Sequence, residues 1–193
     1  RFLSNSAIAS MGYDLPAAIG ACMAAHDPEF EGDGYSKHDI ILLTGEGSIQ
    51  MNIQELQTII HHKMPIKIFL INNGGYHSIR QTQKNFFGEP LVGIGVDSHD
   101  LSFPDMEKLA AAYGYPYVVA HHNEEVAGAV EKTLAMDGPV ICEFYVTTDQ
   151  NFEPKSSAKR LPDGTLVSPP LEDLSPFLPD EEMDKLMIIP RIK

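Results

Sequence analysis

The chain has 193 residues, of which 43% are hydrophobic and 21% charged. That balance excludes a wholly disordered chain and fits one domain of ordinary size. Its 27 acidic residues outnumber 14 basic ones, for a net charge of −13, which argues against a nucleic-acid binder that tracks phosphates.

No run of about 18 apolar residues suggests a membrane span. Cys22 and Cys142 are too few for a disulfide framework or a four-thiolate zinc site. Both lie in apolar stretches, so buried free thiols in a reducing, cytoplasmic compartment are expected. The chain opens on Arg1-Phe2-Leu3-Ser4 without a charged-then-apolar signal. That opening reads as a start in the middle of something longer.

Leu15, Ala18, Ile19, Cys22 and Met23 fall on one stripe and predict a helix to His26, with Pro16 in its first turn. Glu29 to His38 reads as a loop. Asp39 to Thr44 is a β-branched apolar run and predicts a buried strand, broken by Gly45-Glu46-Gly47-Ser48. Ile53, Leu56, Ile59 and Ile60 predict one helix over 49–62, ended by Pro65. Ile66 to Ile71 is a second strand, ended by Asn72-Asn73-Gly74-Gly75.

From Gly75 to about Leu101 the chain reads as irregular. Ser102 is the expected cap of a helix over Pro104–Tyr113. Tyr115 to Ala120 predicts a strand. Asn123 is the expected cap of a helix carrying Val126, Val130 and Leu134, and Val140 to Val146 is a third firm strand. After Asp149, seven prolines from Pro154 to Pro190 predict extended chain that wraps a surface. The expected division is a domain over 1–150 and a tail over 151–193.

Alternating strands and helices predict an α/β fold, a parallel sheet with helices on both faces. Ligands of such sheets sit beyond the carboxyl ends of the strands. Two strands end there in Gly-rich polar turns. In the first, glycine lets backbone N–H groups approach an anion, a following helix N-terminus favours negative charge, and Ser48 adds a hydroxyl. A phosphate or diphosphate is the natural guest. Glu46 would repel it unless a divalent cation lay between them; Mg²⁺ takes one or two protein oxygens alongside phosphate and water. Asn73 supplies an amide oxygen from the second turn, and a nearby backbone carbonyl a third ligand. The first turn lacks the third glycine of a dinucleotide fingerprint, and the chain holds neither a P-loop nor a nucleophile elbow. Glycines that end strands also serve plain tight turns.

Gly45-Glu46-Gly47-Ser48 followed by Asn72-Asn73, with 27 positions from Glu46 to Asn73, resembles the thiamine diphosphate signature. The stretches Ser48–Leu56 and Met11–Ala21 look most like acetolactate synthase and its relatives. The resemblance covers roughly residues 1–150. It implies that Glu46, the Asn73 side chain and the Gly75 carbonyl hold Mg²⁺, and that Gly45, Gly47 and Ser48 line the diphosphate. It further implies that Met11 wedges the cofactor into a bent form while the backbone of Ala9 and Met11 meets the aminopyrimidine.

The implied chemistry is decarboxylation of a 2-oxo acid followed by carboligation, with the cofactor as electron sink. A simple 2-oxo acid decarboxylase is one alternative. A non-catalytic domain that keeps the fold is another. Glu46 stands where the family usually has aspartate, and its extra methylene displaces the carboxylate by roughly one C–C bond, about 1.5 Å. The family's cofactor-activating glutamate belongs to a pyrimidine-binding domain, for which 193 residues leave no room. That domain is expected from the same longer chain or from a separate subunit, in a homo-oligomer (dimer or tetramer). The chain alone is expected to be inactive.

Other candidates have plainer readings. His61 and His62 are adjacent on a helix and point different ways. His121-His122 read as loop, and Ser98-His99-Asp100 as a turn, since consecutive residues cannot form a triad. His77 lies two residues past Gly75 and is a candidate proton relay, with a loop histidine as the alternative. Gln54 and Glu55 read as structural or interface residues.

Overall fold

The computed structural model describes residues 2–5, 8–26, 39–150 and 153–191. The loop expected over Glu29–His38 lies outside them. Two compact units divide at Thr148 and Asp149.

In the first unit a helix, α1 (Asp14–Ala25), precedes strand β1 (Ile40–Gly45). A short helix α2 (Glu46–Ile49), a 3-10 turn (Gln50–Asn52) and α3 (Glu55–His61) lead to β2 (Ile66–Asn72). Then come α4 (His77–Phe86), α5 (Met106–Tyr113), β3 (Tyr117–Ala120), α6 (Asn123–Ala135) and β4 (Val140–Tyr145).

The four strands are parallel in the order β1-β2-β4-β3. Right-handed crossovers dictate the layers. The chain moves one way across the sheet from β1 to β2 to β3, so α3 and α5 fall on one face. It then steps back from β3 to β4, so α6 falls on the other. The cores agree. Leu15, Leu56, Ile59, Ile68, Leu70, Met106 and Ile141 pack together on the first face. Phe69, Val118, Ala129, Val140 and Cys142 pack on the second. Cys22 and Cys142 are free and buried, as expected.

Several local expectations are corrected. The single helix over 49–62 is three pieces, and helical backbone begins at Glu46. The segment after Gly75 contains α4, whose buried residues are His77 and Arg80 rather than hydrophobics. Counting apolar residues cannot detect such a face. Asp105, not Ser102, caps α5 by accepting the Lys108 N–H at 3.0 Å; Phe103 precedes proline and disfavours helix there. Asn123 is the first helical residue of α6 rather than its cap, and the Glu125 carboxylate accepts the N–H groups of His121 and His122. The face of α6 against the sheet is Ala129 and Thr133 with Val130 packed beside them, while Val126 and Leu134 stay exposed, because small side chains let a helix approach closely. Strand β1 alternates rather than being buried on both sides, leaving Ile41 and Leu43 exposed.

The second unit is mostly irregular chain, with a two-stranded antiparallel pair, β5 (Lys159–Arg160) and β6 (Leu166–Val167). It also holds α7 (Asp180–Leu186), which the proline density did not predict. Asp180, Glu181 and Glu182 occupy its first turn, where negative charge is favourable. Among the described residues no helix is long and apolar enough to cross a membrane.

Candidate functional site at the carboxyl ends of two strands

Parallel pairing sets Gly45 opposite Ile71, so β1 and β2 end side by side and their turns meet. Glu46 is the first residue after β1 and is 1% exposed. Its carboxylate reaches across to the second turn. Oε1 accepts the Gly75 N–H at 2.5 Å and Oε2 the Asn73 N–H at 3.3 Å. Thus the extra methylene keeps the carboxylate inside the pair of turns. Burial raises its pKa above the usual carboxylate range, partly countered by its own backbone N–H, those of Gly75 and Asn73, and the Arg80 charge.

Asn73 Oδ1 is buried with no hydrogen-bond partner among the described residues. Burying an amide oxygen unpaired costs about 1–3 kcal/mol, so it demands an explanation. A hard cation at this oxygen would satisfy it, and oxygen donors such as this amide and the Glu46 carboxylate are what Mg²⁺ prefers. Among the described residues no group of three or more His, Cys, Asp or Glu gathers elsewhere as a metal cluster.

Backbone contact shapes the second turn. Gly75 and Gly95 form an antiparallel bridge, with Tyr76 N–H donating to the Ile94 carbonyl at 2.7 Å and Val96 N–H to the Gly74 carbonyl at 3.1 Å. Gly75 has φ +154° and Gly95 φ +138°, and a Cβ on either would strike the opposite backbone.

Arg80, missed in the sequence, secures this turn from below. It is 1% exposed. Its guanidinium donates to the carbonyls of Asn73 at 3.3 Å and Gly74 at 3.2 Å, and pairs with Asp97 at 2.9 Å. His77 is not a loop residue: it opens α4, nearly buried. Its Nδ1 lies 3.3 Å from Arg80 Nη1. A guanidinium only donates, so this nitrogen is the acceptor.

In the first turn a Cβ on Gly47 would come within 2.5 Å of the Tyr76 ring, which makes an edge contact with Phe103. Ser48 Oγ accepts the Gly12 N–H at 3.0 Å, and Asn52 Nδ2 donates to the Gly12 carbonyl at 2.6 Å. Thr44 donates to Asp14. These three bonds hold the segment around Met11 against the first turn. Met11 itself is about half exposed, and Ala9 takes a positive φ of 53°. The anion-favouring dipole expected of a long helix is reduced, because α2 has only four residues; what the turn offers is close backbone approach.

The other candidates hold surrounding backbone and side chains or lie at the surface. His61 and His62 are exposed at the end of α3. Ser98 ends a 3-10 turn (Val96–Ser98), donates to the Asp100 carboxylate and accepts the N–H groups of Ile94 and Gly95 at 3.2 Å, and His99 is left-handed. Glu55 accepts from Thr58 at 2.9 Å and Gln54 donates to Asn52 at 3.4 Å.

Residues 1–144 match the family described as thiamine pyrophosphate enzyme, C-terminal TPP binding domain. The chain belongs to this family. It is 35% identical over 154 residues to the acetolactate synthase large subunit of Pyropia yezoensis, covering 80% of this chain and 24% of that one. With the acetolactate synthase isozyme 2 large subunit of Escherichia coli it shares 30% identity over 175 residues, 91% of this chain and 28% of the relative. Among solved structures, the Rhodococcus jostii RHA1 thiamine diphosphate-dependent 4-hydroxybenzoylformate decarboxylase aligns with a TM-score of 0.59 and 28% identity, over 73% of this chain and 24% of that one. The chain therefore spans about a quarter of the length of these relatives. It is an acetolactate synthase-like C-terminal domain with the α/β fold that binds thiamine diphosphate.

Proposed function

We propose that the two turns hold Mg²⁺ and the diphosphate of thiamine diphosphate in an enzyme that decarboxylates a 2-oxo acid and ligates the product to an acceptor. The observation that carries the cation is the unpaired, buried Asn73 Oδ1, on the residue whose backbone N–H the Glu46 carboxylate accepts. Glu46, the Asn73 amide and the Gly75 carbonyl hold Mg²⁺. Gly45, Gly47 and Ser48 present backbone and hydroxyl donors to the diphosphate. Met11 would support the cofactor, and the backbone of Ala9 and Met11 would meet its pyrimidine ring.

Bound thiamine diphosphate supplies an electron sink for the 2-oxo acid. The chain's own share is to orient it and to neutralise its charge. A pyrimidine-binding domain, from the same longer chain or from another subunit of a homo-oligomer, completes the site, and this chain alone has no turnover.

Calorimetric titration of thiamine diphosphate with and without Mg²⁺ tests the cation. Binding that needs Mg²⁺ and is lost in Asn73→Ala is expected. Binding indifferent to Mg²⁺ overturns the reading and favours a domain that keeps the fold without the chemistry. A second reading, simple decarboxylation, is favoured by the name of the aligned Rhodococcus structure. Product analysis of the assembled enzyme with pyruvate separates the two: a ligated product against free aldehyde.

A further inference from the structure

Glu143 lies in the middle of β4, with no solvent exposure, and no step of the proposed chemistry uses it. A buried carboxylate is costly unless fully paired. Here both oxygens are used. Oε1 accepts the Asn72 Nδ2–H at 2.6 Å, and Oε2 accepts the Tyr117 hydroxyl. The sheet explains how three strands meet at one side chain. β4 runs between β2 and β3, with Glu143 opposite Leu70 on one side and Val119 on the other. Asn72 lies two residues beyond Leu70, and Tyr117 two residues before Val119. Both therefore share the sheet face of Glu143 and sit diagonally from it.

Asn72 passes the restraint on. Its Nδ2 is held by Glu143, so its Oδ1 faces the next turn and accepts the Gly74 N–H at 3.1 Å. Gly74 is the residue between Asn73 and Gly75. We propose that Glu143 is the positioning residue of the 73–75 turn: by fixing both ends of the Asn72 amide it sets the turn that presents the Asn73 oxygen and the Gly75 backbone. A leucine of similar volume would bury at lower cost, but it would leave Asn72 free to rotate and Gly74 without its acceptor. The consequence for cation binding rests on the functional reading above; the positioning itself does not.

Exchange is measured on the 193-residue chain, and cofactor binding on the enzyme assembled with its pyrimidine-binding domain. Amide hydrogen exchange at Gly74 is followed by NMR in wild type, Glu143→Leu, Glu143→Gln and Tyr117→Phe, alongside calorimetric titration with Mg²⁺ and thiamine diphosphate. One lost hydrogen bond corresponds to about a tenfold change. Gly74 exchange is therefore expected to rise about tenfold in Glu143→Leu, with a similar loss of Mg²⁺-dependent affinity. Glu143→Gln keeps an oxygen for Asn72 and should remain within about threefold of wild type on both readouts. Tyr117→Phe should fall between them.

A merely structural role would lower the melting temperature without singling out Gly74 or being rescued by glutamine. Unchanged Gly74 exchange in Glu143→Leu overturns the inference. Should that variant fail to fold, wild type decides: Asn72 side-chain amide protons that exchange as fast as exposed ones overturn it, and protected ones support it. If the assembled wild-type enzyme takes up no Mg²⁺ with thiamine diphosphate, the functional reading fails, while the exchange data still decide the role of Glu143.

Discussion

Replacing Arg80 by methionine should loosen the cation turn and cost about 3 kcal/mol of stability. The guanidinium is 1% exposed, bonds the carbonyls of Asn73 and Gly74, and pairs with Asp97. Each hydrogen bond from a charged donor is worth about 1.5–3 kcal/mol. Methionine fills the volume of the stem but offers neither carbonyl a donor. Breaking a buried pair by removing one partner costs about 3–5 kcal/mol, and the Asp97 side chain, 25% exposed, is partly screened by water. The low end therefore applies.

Three kcal/mol is a large part of the roughly 5–15 kcal/mol that holds a domain together. It lowers the melting temperature by about 6–12 °C for a unit of this size. Urea unfolding followed by circular dichroism, with an unchanged slope, measures it. Arg80→Lys keeps the charge, but a single ammonium cannot fork across two carbonyls and a carboxylate, so it should restore less than half of the loss. A loss below about 1 kcal/mol in Arg80→Met, or full restoration by lysine, would show that the guanidinium does not hold the turn.

Three further outcomes follow from contacts around the site. Gly47→Ala forces the Tyr76 ring, within 2.5 Å of the new Cβ, to move; overpacking of about 1–3 kcal/mol is expected in a thermal melt, and adding Tyr76→Ala should relieve it. Asn52→Ala removes the 2.6 Å bond to the Gly12 carbonyl, so about 1 kcal/mol of stability and part of the Mg²⁺-dependent thiamine diphosphate affinity should be lost together; affinity unchanged at reduced stability would uncouple the Met11 segment from the site. Burial pushes the thiols of Cys22 and Cys142 up. Their thiolate fraction is therefore small at neutral pH, and iodoacetamide should leave both intact in the folded chain while labelling both in urea, as mass spectrometry would show.

The readings that the residues carried by themselves concern local chemistry. Ile66 to Ile71 is apolar at every position but one, and a strand covered on both faces is the economical solution. Glycines and asparagines after β1 and β2 mark where the sheet ends, and parallel order alone brings such ends together. The family signature needed only the identity and spacing of those residues.

Tertiary structure decided what depends on polar groups being buried. No periodic rule anticipates that α4 turns His77 and Arg80 inward, that Glu143 is sealed beneath Asn72, or that Lys67 is buried with its ammonium on the carbonyls of Met136 and Gly138. Each of these side chains is tolerated only because specific partners from distant segments meet its hydrogen-bonding needs. The same holds for α6, where Val126, Val130 and Leu134 suggested the inward stripe, and Ala129 and Thr133 supply most of it with Val130 packed alongside. Hydrophobic pattern specifies which face of an element tends inward. Which charge is worth burying is settled only when the chain has folded and its partners have arrived.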